Sequence, residues 1–361
     1  PAPPPGSTGL NDNGTANSYI VLEPNTSYYF KAVQQGNHKS TLAAASENGP
    51  AITPRKMSPV SAFIVWQTDP NLIKEVKVYK NYYIQFKTGN IPAGNALIGM
   101  AEQDIHQYNA SNPTDKQTSW SWHIWVCDSD PTENAITHDF EGGSGETLMD
   151  RNLGAQTNTY DEAGGARGLL YQWGRKDPMP TGHKWTGSEN PDLAGYYSSG
   201  FSFTNLTTLS NASATNLENS IKYPARYMAC NQDWIANDNT AALQYDNLWG
   251  STVVNVRFQK SIYDPCPPGW MVPPGNTWDN ITKDILIWDE AIIGSQMTLN
   301  GNTTYYPAAG NRTNTAGISN SGSQGIYWPS TGSTGGAGIF NTHKTSVSFP
   351  GISRGYAASI R

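Results

Sequence analysis

Charge is scarce in this chain: Asp, Glu, Lys and Arg together make up only 14 % of its 361 residues. The 23 basic residues are scattered singly against a net charge of −6. No basic run is available to neutralise phosphates, so nucleic acid is not an expected partner. Long apolar runs are missing too. None approaches the roughly 20 residues needed to cross a bilayer as a helix, so no membrane span is expected. The opening PAPPPGSTG has neither a charged region nor an apolar core. It therefore reads as the start of a mature or truncated product whose secretion signal lies upstream. No period repeats, which argues against a solenoid or propeller.

Cysteine is equally sparse: Cys127, Cys230 and Cys266. An odd number in a protein read as secreted leaves one thiol unpaired, or paired outside this segment. There is no CxxC and no nearby His pair, so no zinc site is expected. Cys127 lies in a strand-like run and reads as a small buried residue. Catalytic signatures are missing as well. The six His residues form no HExxH, and no GxSxG, P-loop or GxGxxG is present. Asp161-Glu162 and Asp289-Glu290 are merely adjacent, which does not set the separation a glycosidase requires. Asp128-Ser129-Asp130 begins like a calcium loop but lacks the turn glycine and the final bidentate Glu. No enzyme activity, metal or cofactor is expected.

What the chain has is glycine, proline and aromatics: 35 Gly, 24 Pro, 12 Trp and 19 Tyr. Asn, Ser and Thr replace the missing charge, as suits an extracellular β-rich protein. So many large apolar rings exclude a disordered chain. Residues 1–16 read as a Pro/Gly-rich linker, extended and semi-rigid. Over 17–128 short strand signals recur without a helical period. Tyr19–Leu22 and Tyr28–Phe30 flank Glu23-Pro24-Asn25, which reads as a hairpin turn. Val76, Val78, Tyr82, Ile84 and Phe86 share one parity around Lys80-Asn81, the mark of a meander with one buried face. Trp120–Val126 alternates Trp120, Trp122, Ile124 and Val126 with Ser121, His123, Trp125 and Cys127. The expectation is an antiparallel β-sandwich. Residues 129–144 read as an interdomain linker, and 145–361 as a second domain with long polar loops. One helix is expected where Trp278, Ile281, Ile285 and Trp288 recur at helical spacing. The fold class is β-rich, α+β overall.

Several peptides of the second half resemble the Fibrobacter succinogenes major paralogous domain. They are Met149–Ala155, Gly168–Pro178, Tyr263–Pro273, Tyr306–Gly310, Ile326–Ser330 and the closing Ile360-Arg361. In Bacteroidota this module is found at the C-terminus of fimbrillin-like, Mfa-type surface proteins, and Ala16–Val21 with Trp120–Trp125 resembles the domain that precedes it. Met179 stands where Phe is common in the family. The resemblance implies a C-type-lectin-like fold for 145–361 and a place at a fimbrial tip or on the outer surface. The implied role is an adhesin, with other fimbrial subunits and a host or bacterial surface protein or glycan as partners. Family members usually follow the final Arg with a Cys that bridges to the D-P-C-P cysteine. In the sequence as given that partner for Cys266 is absent, and Cys230 is the alternative. A secreted carbohydrate-binding module and a purely structural surface-layer domain are the rival readings.

The residues support structural roles for Asp150, Arg151, Trp173, Cys266 and Trp270. Asp150-Arg151 and Arg175-Lys176-Asp177 offer buried ion pairs, while prolines around Cys266 and Trp270 fix a loop that needs anchors. Calcium-dependent sugar binding is unsupported: Glu23-Pro24-Asn25 is in the wrong half and Trp278-Asp279-Asn280 in the wrong order. Binding by aromatic stacking has candidates in Trp185, Tyr196, Tyr197, Trp234 and Trp249, all in loops.

Overall fold

The computed structural model describes residues 1–10, 14–37, 52–104, 117–181, 215–230, 233–235, 245–250, 260–333 and 336–361. In its first third, the alternating runs become two four-stranded sheets. The strands are β1 (Thr8–Gly9), β2 (Ser18–Val21), β3 (Ser27–Lys31), β4 (Ser61–Gln67), β5 (Ile73–Tyr79), β6 (Tyr83–Thr88), β7 (Gly94–Ala101) and β8 (Trp120–Val126). One sheet runs β1-β3-β6-β5 and the other β2-β8-β7-β4. Phe30 from the first meets Trp122 from the second with ring centroids 5.0 Å apart. Tyr19, Ile84, Phe86 and Ile98 are buried with them.

The β5–β6 hairpin forms where the shared parity of its apolar residues places it. Lys80 (φ 53°) and Asn81 (φ 48°) both take left-handed backbone, and Tyr82 N–H closes the turn on Tyr79 O at 3.2 Å. That type I′ geometry follows the natural twist of the strands, yet neither residue is the glycine that adopts it without strain. Asn81→Gly is expected to raise stability by about 0.5–1 kcal/mol, measured as a higher urea midpoint at unchanged slope.

Three expectations are corrected here. Glu23-Pro24-Asn25 does not close a hairpin, because β2 and β3 belong to different sheets. The turn carries the chain across the sandwich, with Asn25 left-handed at φ 52°. Nor is the sandwich purely antiparallel: β1 pairs with β3, and β2 with β8, in parallel. Finally, the segment expected as a linker at 1–16 is not free of the sandwich but touches it at several points. Tyr83 donates its hydroxyl to Pro1 O at 2.8 Å, Leu10 N–H reaches Tyr29 O at 2.9 Å, and Ala16 is fully buried. With a pairing only two residues long, the segment carries no strand pattern of its own.

The second half opens on a small hairpin, β9 (Ile136–Thr137) with β10 (Thr147–Leu148). It begins inside the stretch expected as a linker, and Ile136 and His138 are buried. Then follow β11 (Leu170–Gln172) and a helix, α1 (Thr215–Lys222). A three-stranded antiparallel sheet comes next: β12 (Ile287–Asp289), β13 (Gly294–Leu299) and β14 (Asn302–Pro307). The remaining strands are β15 (Asn311–Arg312), β16 (Ile318–Ser319), β17 (Gln324–Tyr327), β18 (Gly332–Ser333), β19 (Gly336–Gly338), β20 (Phe340–His343), β21 (Ser346–Ser348), β22 (Gly351–Ile352) and β23 (Ala357–Ser359). One sheet runs β16-β15-β23-β17-β20-β21 with β11 also on β23, and a small one runs β18-β19-β22. The chain is β-rich, and no helix among the described residues is long and apolar enough to cross a membrane.

The helix expected around Trp278 does not form. Residues 276–285 are successive tight turns, closed by Asp279 N–H on Asn276 O, Ile281 N–H on Trp278 O and Ile285 N–H on Thr282 O, each at 3.1 Å. Asn280 at φ 63° interrupts any helical path. Trp278, Ile281 and Leu286 still share one core cluster, so the spacing reports a common buried side and not a helix.

The two halves meet across the outer face of the β2-β8-β7-β4 sheet. Trp120–Val126 is buried on both faces, as for strands covered from either side. Trp122 packs into the sandwich against Phe30, while Ser121 and Trp125 reach the second half and Trp120 meets Lys176 and Tyr263 there. Ser121 Oγ donates to Asp177 Oδ1 at 2.7 Å. His123 Nε2 lies 2.9 Å from Asn95 Oδ1, and Asn95 Nδ2 donates to Gly154 O at 2.8 Å. Trp125 Nε1 donates to Ala155 O at 2.9 Å. Just before β2, Asn17 Nδ2 donates to Ile262 O at 2.6 Å. One hydrophobic cluster runs through this seam, from Phe30 and Trp122 to Trp173, Trp249 and Ile360.

Candidate functional site

The second half carries an open groove of about 300 Å³. A ladder of rings leads into it from the core. Trp278 stacks on Phe340 with centroids 5.1 Å apart and planes 5° from parallel, and Phe340 meets Phe349 at 5.8 Å. The first two are buried, whereas Phe349 is 50 % exposed, so the ladder ends at the surface. Pro329, Thr331, Ile339 and four glycines complete the lining. Among the described residues no charged or amide side chain contributes to it.

Glycine makes the floor. Gly338 and Gly351 pair directly between β19 and β22, so no side chain stands on that rung. A Cβ added at Gly338 would meet nothing within 4 Å, and one at Gly351 only Ala337 O at 4.0 Å. Elsewhere glycine is needed for packing: at Gly332 a Cβ would fall 2.9 Å from the Trp173 ring. Trp173 thus stands behind the wall, donating its indole N–H to Pro329 O at 3.0 Å. Arg354 lies over its ring at 4.3 Å and forms ion pairs with Asp233 and Asp246. Gly275 N–H donates to Thr331 Oγ1 at 3.0 Å, and Ser330 N–H to Pro273 O at 2.7 Å. The peptides that carried the family resemblance, around Trp173, Pro273 and Trp328–Ser330, form the scaffold behind the groove.

The aromatic candidates from the sequence do not appear among the described residues that line this groove. Trp185, Tyr196 and Tyr197 fall outside the described residues. Trp234 and Trp249 are fully buried. Their indole N–H groups go to Trp173 O at 2.8 Å and Arg175 O at 3.3 Å. Neither offers a stacking face; they pin loops over the Trp173 core. The groove aromatics were missed because Phe349 follows a short strand of ordinary composition. The one usable signal was the Phe349-Pro350-Gly351 step, which sets a large ring before a rigid turn.

The structural candidates hold loops. Arg151 pairs with Asp150 through Nε–Oδ1 at 2.7 Å and Nη2–Oδ2 at 3.1 Å. Arg361 donates to Asp150 O at 2.9 Å and Tyr305 O at 3.0 Å, its guanidinium 4.7 Å over the Tyr306 ring. Cys266 is buried and lines a small cavity with Trp270, Ile360 and Arg361. Burial pushes its thiol well above the usual range, so it is unreactive as a nucleophile. Cys127 is likewise buried with its thiol pushed up. Asp264 accepts from Cys266 N–H at 2.9 Å and Val272 N–H at 2.8 Å, and Lys260 lies 3.1 Å from it.

A second hollow lies where β7, β8 and α1 meet. Arg55, Glu102, Glu218 and Lys222 line it, but its charges pair internally, Arg55 with Glu102 and Lys222 with Glu218, each at 2.7 Å. Among the described residues no group of three or more His, Cys, Asp or Glu side chains is placed to hold a metal ion. No family model matches the chain, and neither a curated protein nor a solved structure gives a match.

Proposed function

We propose that the chain is an adhesive protein of the bacterial surface, a fimbrial tip or accessory subunit exported from the cell. Its second half, read as C-type-lectin-like, binds a host or bacterial surface molecule. The sandwich joins it to other fimbrial subunits. The observation that carries the binding role is the groove itself: a surface-exposed aromatic over a floor of paired glycines, with no titratable group among the described residues of its lining. Such a lining offers contact and shape and no acid, base or nucleophile. The motif resemblance supports the fimbrial setting, and the seam between halves supports force being passed from the groove to the sandwich.

The test is attachment of cells displaying the chain, compared with cells displaying Gly351→Val, which fills the groove floor. Attachment should fall at least tenfold, and the chain should co-purify with fimbrial subunits. Equal attachment by both would remove the groove from adhesion. Adsorption to a glycan array without any fimbrial partner would favour a free carbohydrate-binding module.

A further inference from the structure

We infer that the groove takes one uncharged apolar side chain, aromatic or large aliphatic, presented by an extended segment of a partner protein. The inference rests on reading the groove as the binding face, and three observations narrow the occupant.

The first is polarity. A sugar surrenders water from several hydroxyls on binding and needs donors and acceptors to replace it. Here the side-chain lining supplies one hydroxyl, Thr331 Oγ1, already accepting from Gly275 N–H at 3.0 Å. A charged ligand fares worse, because among the described residues no lining side chain carries a countercharge. Size is the second. About 300 Å³ stands at the lower limit for small-molecule sites and matches one large side chain. The third is the lip. β22 (Gly351–Ile352) ends the order β18-β19-β22 among the described residues, so its outer edge carries no strand partner there. A segment laid along that edge can bond through its main chain while one side chain drops against Phe349 and the Gly338–Gly351 floor.

The test titrates the full chain with N-acetyl-phenylalaninamide and, separately, with methyl glucoside, following backbone amide signals by NMR. The expected result is saturable shifts of Gly338, Ile339 and Gly351 with the amino-acid amide, and binding of the sugar at least tenfold weaker. Gly338→Leu should abolish the shifts while leaving distant signals in place. If that variant fails to fold, Phe349→Ala serves instead: its ring is half exposed, so the fold should survive while affinity falls several-fold. Sugar shifts without amide shifts would overturn the assignment, as would silence with both probes or undiminished binding by the variants. Attachment of displaying cells, read on the same variants, separates this from the adhesive role. Loss of probe binding with full attachment would refute groove-based adhesion alone.

Discussion

Asp177→Ala is expected to lower the free energy of unfolding by about 3–5 kcal/mol. Asp177 and Lys176 are both buried, with Nζ 2.7 Å from Oδ1 and 2.9 Å from Oδ2. The same ammonium donates to Ser121 O at 3.1 Å and Ser121 Oγ at 2.5 Å, and lies 4.6 Å over the Trp120 ring. The cluster therefore ties a sheet of the sandwich to the second half. Burial drags the Lys176 pKa down to about 8 despite the carboxylate beside it, so desolvation outweighs attraction even with the pair intact. Removing Asp177 leaves an ammonium with no countercharge in a site that water cannot reach, which is where the cost arises. Replacing both residues, Lys176→Met with Asp177→Leu, should recover most of the loss, since two apolar side chains leave no charge to desolvate. Urea unfolding of the three proteins checks this. A single variant within 1 kcal/mol of wild type would mean that water reaches the pair.

Acid is expected to destabilise the protein through His123. This imidazole is buried in the same seam, 2.9 Å from Asn95 Oδ1 and 3.2 Å from Ser18 Oγ. Burial lowers its pKa from 6.5 to about 3. The sign follows from which state binds the proton. Between those values the unfolded chain is protonated at this site and the folded chain is not. Stability therefore falls as the pH drops from about 6.5 towards 3, by about 4–5 kcal/mol in total. His138, buried against Thr277 O at 2.9 Å with its pKa also lowered by burial, adds a loss of the same sign. His123→Gln should be less stable than wild type at pH 7, because its bonds to Asn95 and Ser18 are altered. Its stability should nonetheless fall less steeply between pH 6.5 and 4. Parallel profiles for the two proteins would exclude His123 as the sensor.

Much of the sandwich was legible because its strands announce themselves locally. Val76 to Phe86 alternate around a two-residue turn, and Trp120–Val126 alternates over its whole length. What that last stretch could not reveal is the identity of its second cover. Ser121, His123 and Trp125 look like the outer, half-polar face of a two-layer sheet, yet Ser121 and Trp125 meet Asp177 and Ala155, and His123 is joined through Asn95 of the neighbouring strand to Gly154. Parallel pairing of β2 with β8 was hidden for the same reason, since residues 18 and 123 carry no mark of their register. The Trp278 segment shows how spacing misleads: apolar residues three or four apart satisfy a helix and a string of turns equally well. Loop position misled for Trp234 and Trp249, because an indole that can reach a backbone carbonyl is worth more inside than out. The groove was the least visible feature. Gly338 and Gly351 become one site only when β19 and β22 pair, and nothing in either peptide marks that partnership.

The claim that joins these observations is that sandwich and groove-bearing half are a single unit held by a buried seam. Scanning calorimetry of the intact chain tests it most directly. One transition whose calorimetric and van't Hoff enthalpies agree, shifted as a whole by Asp177→Ala, is the expected result. Two separable transitions, or a shift confined to one of them, would contradict it.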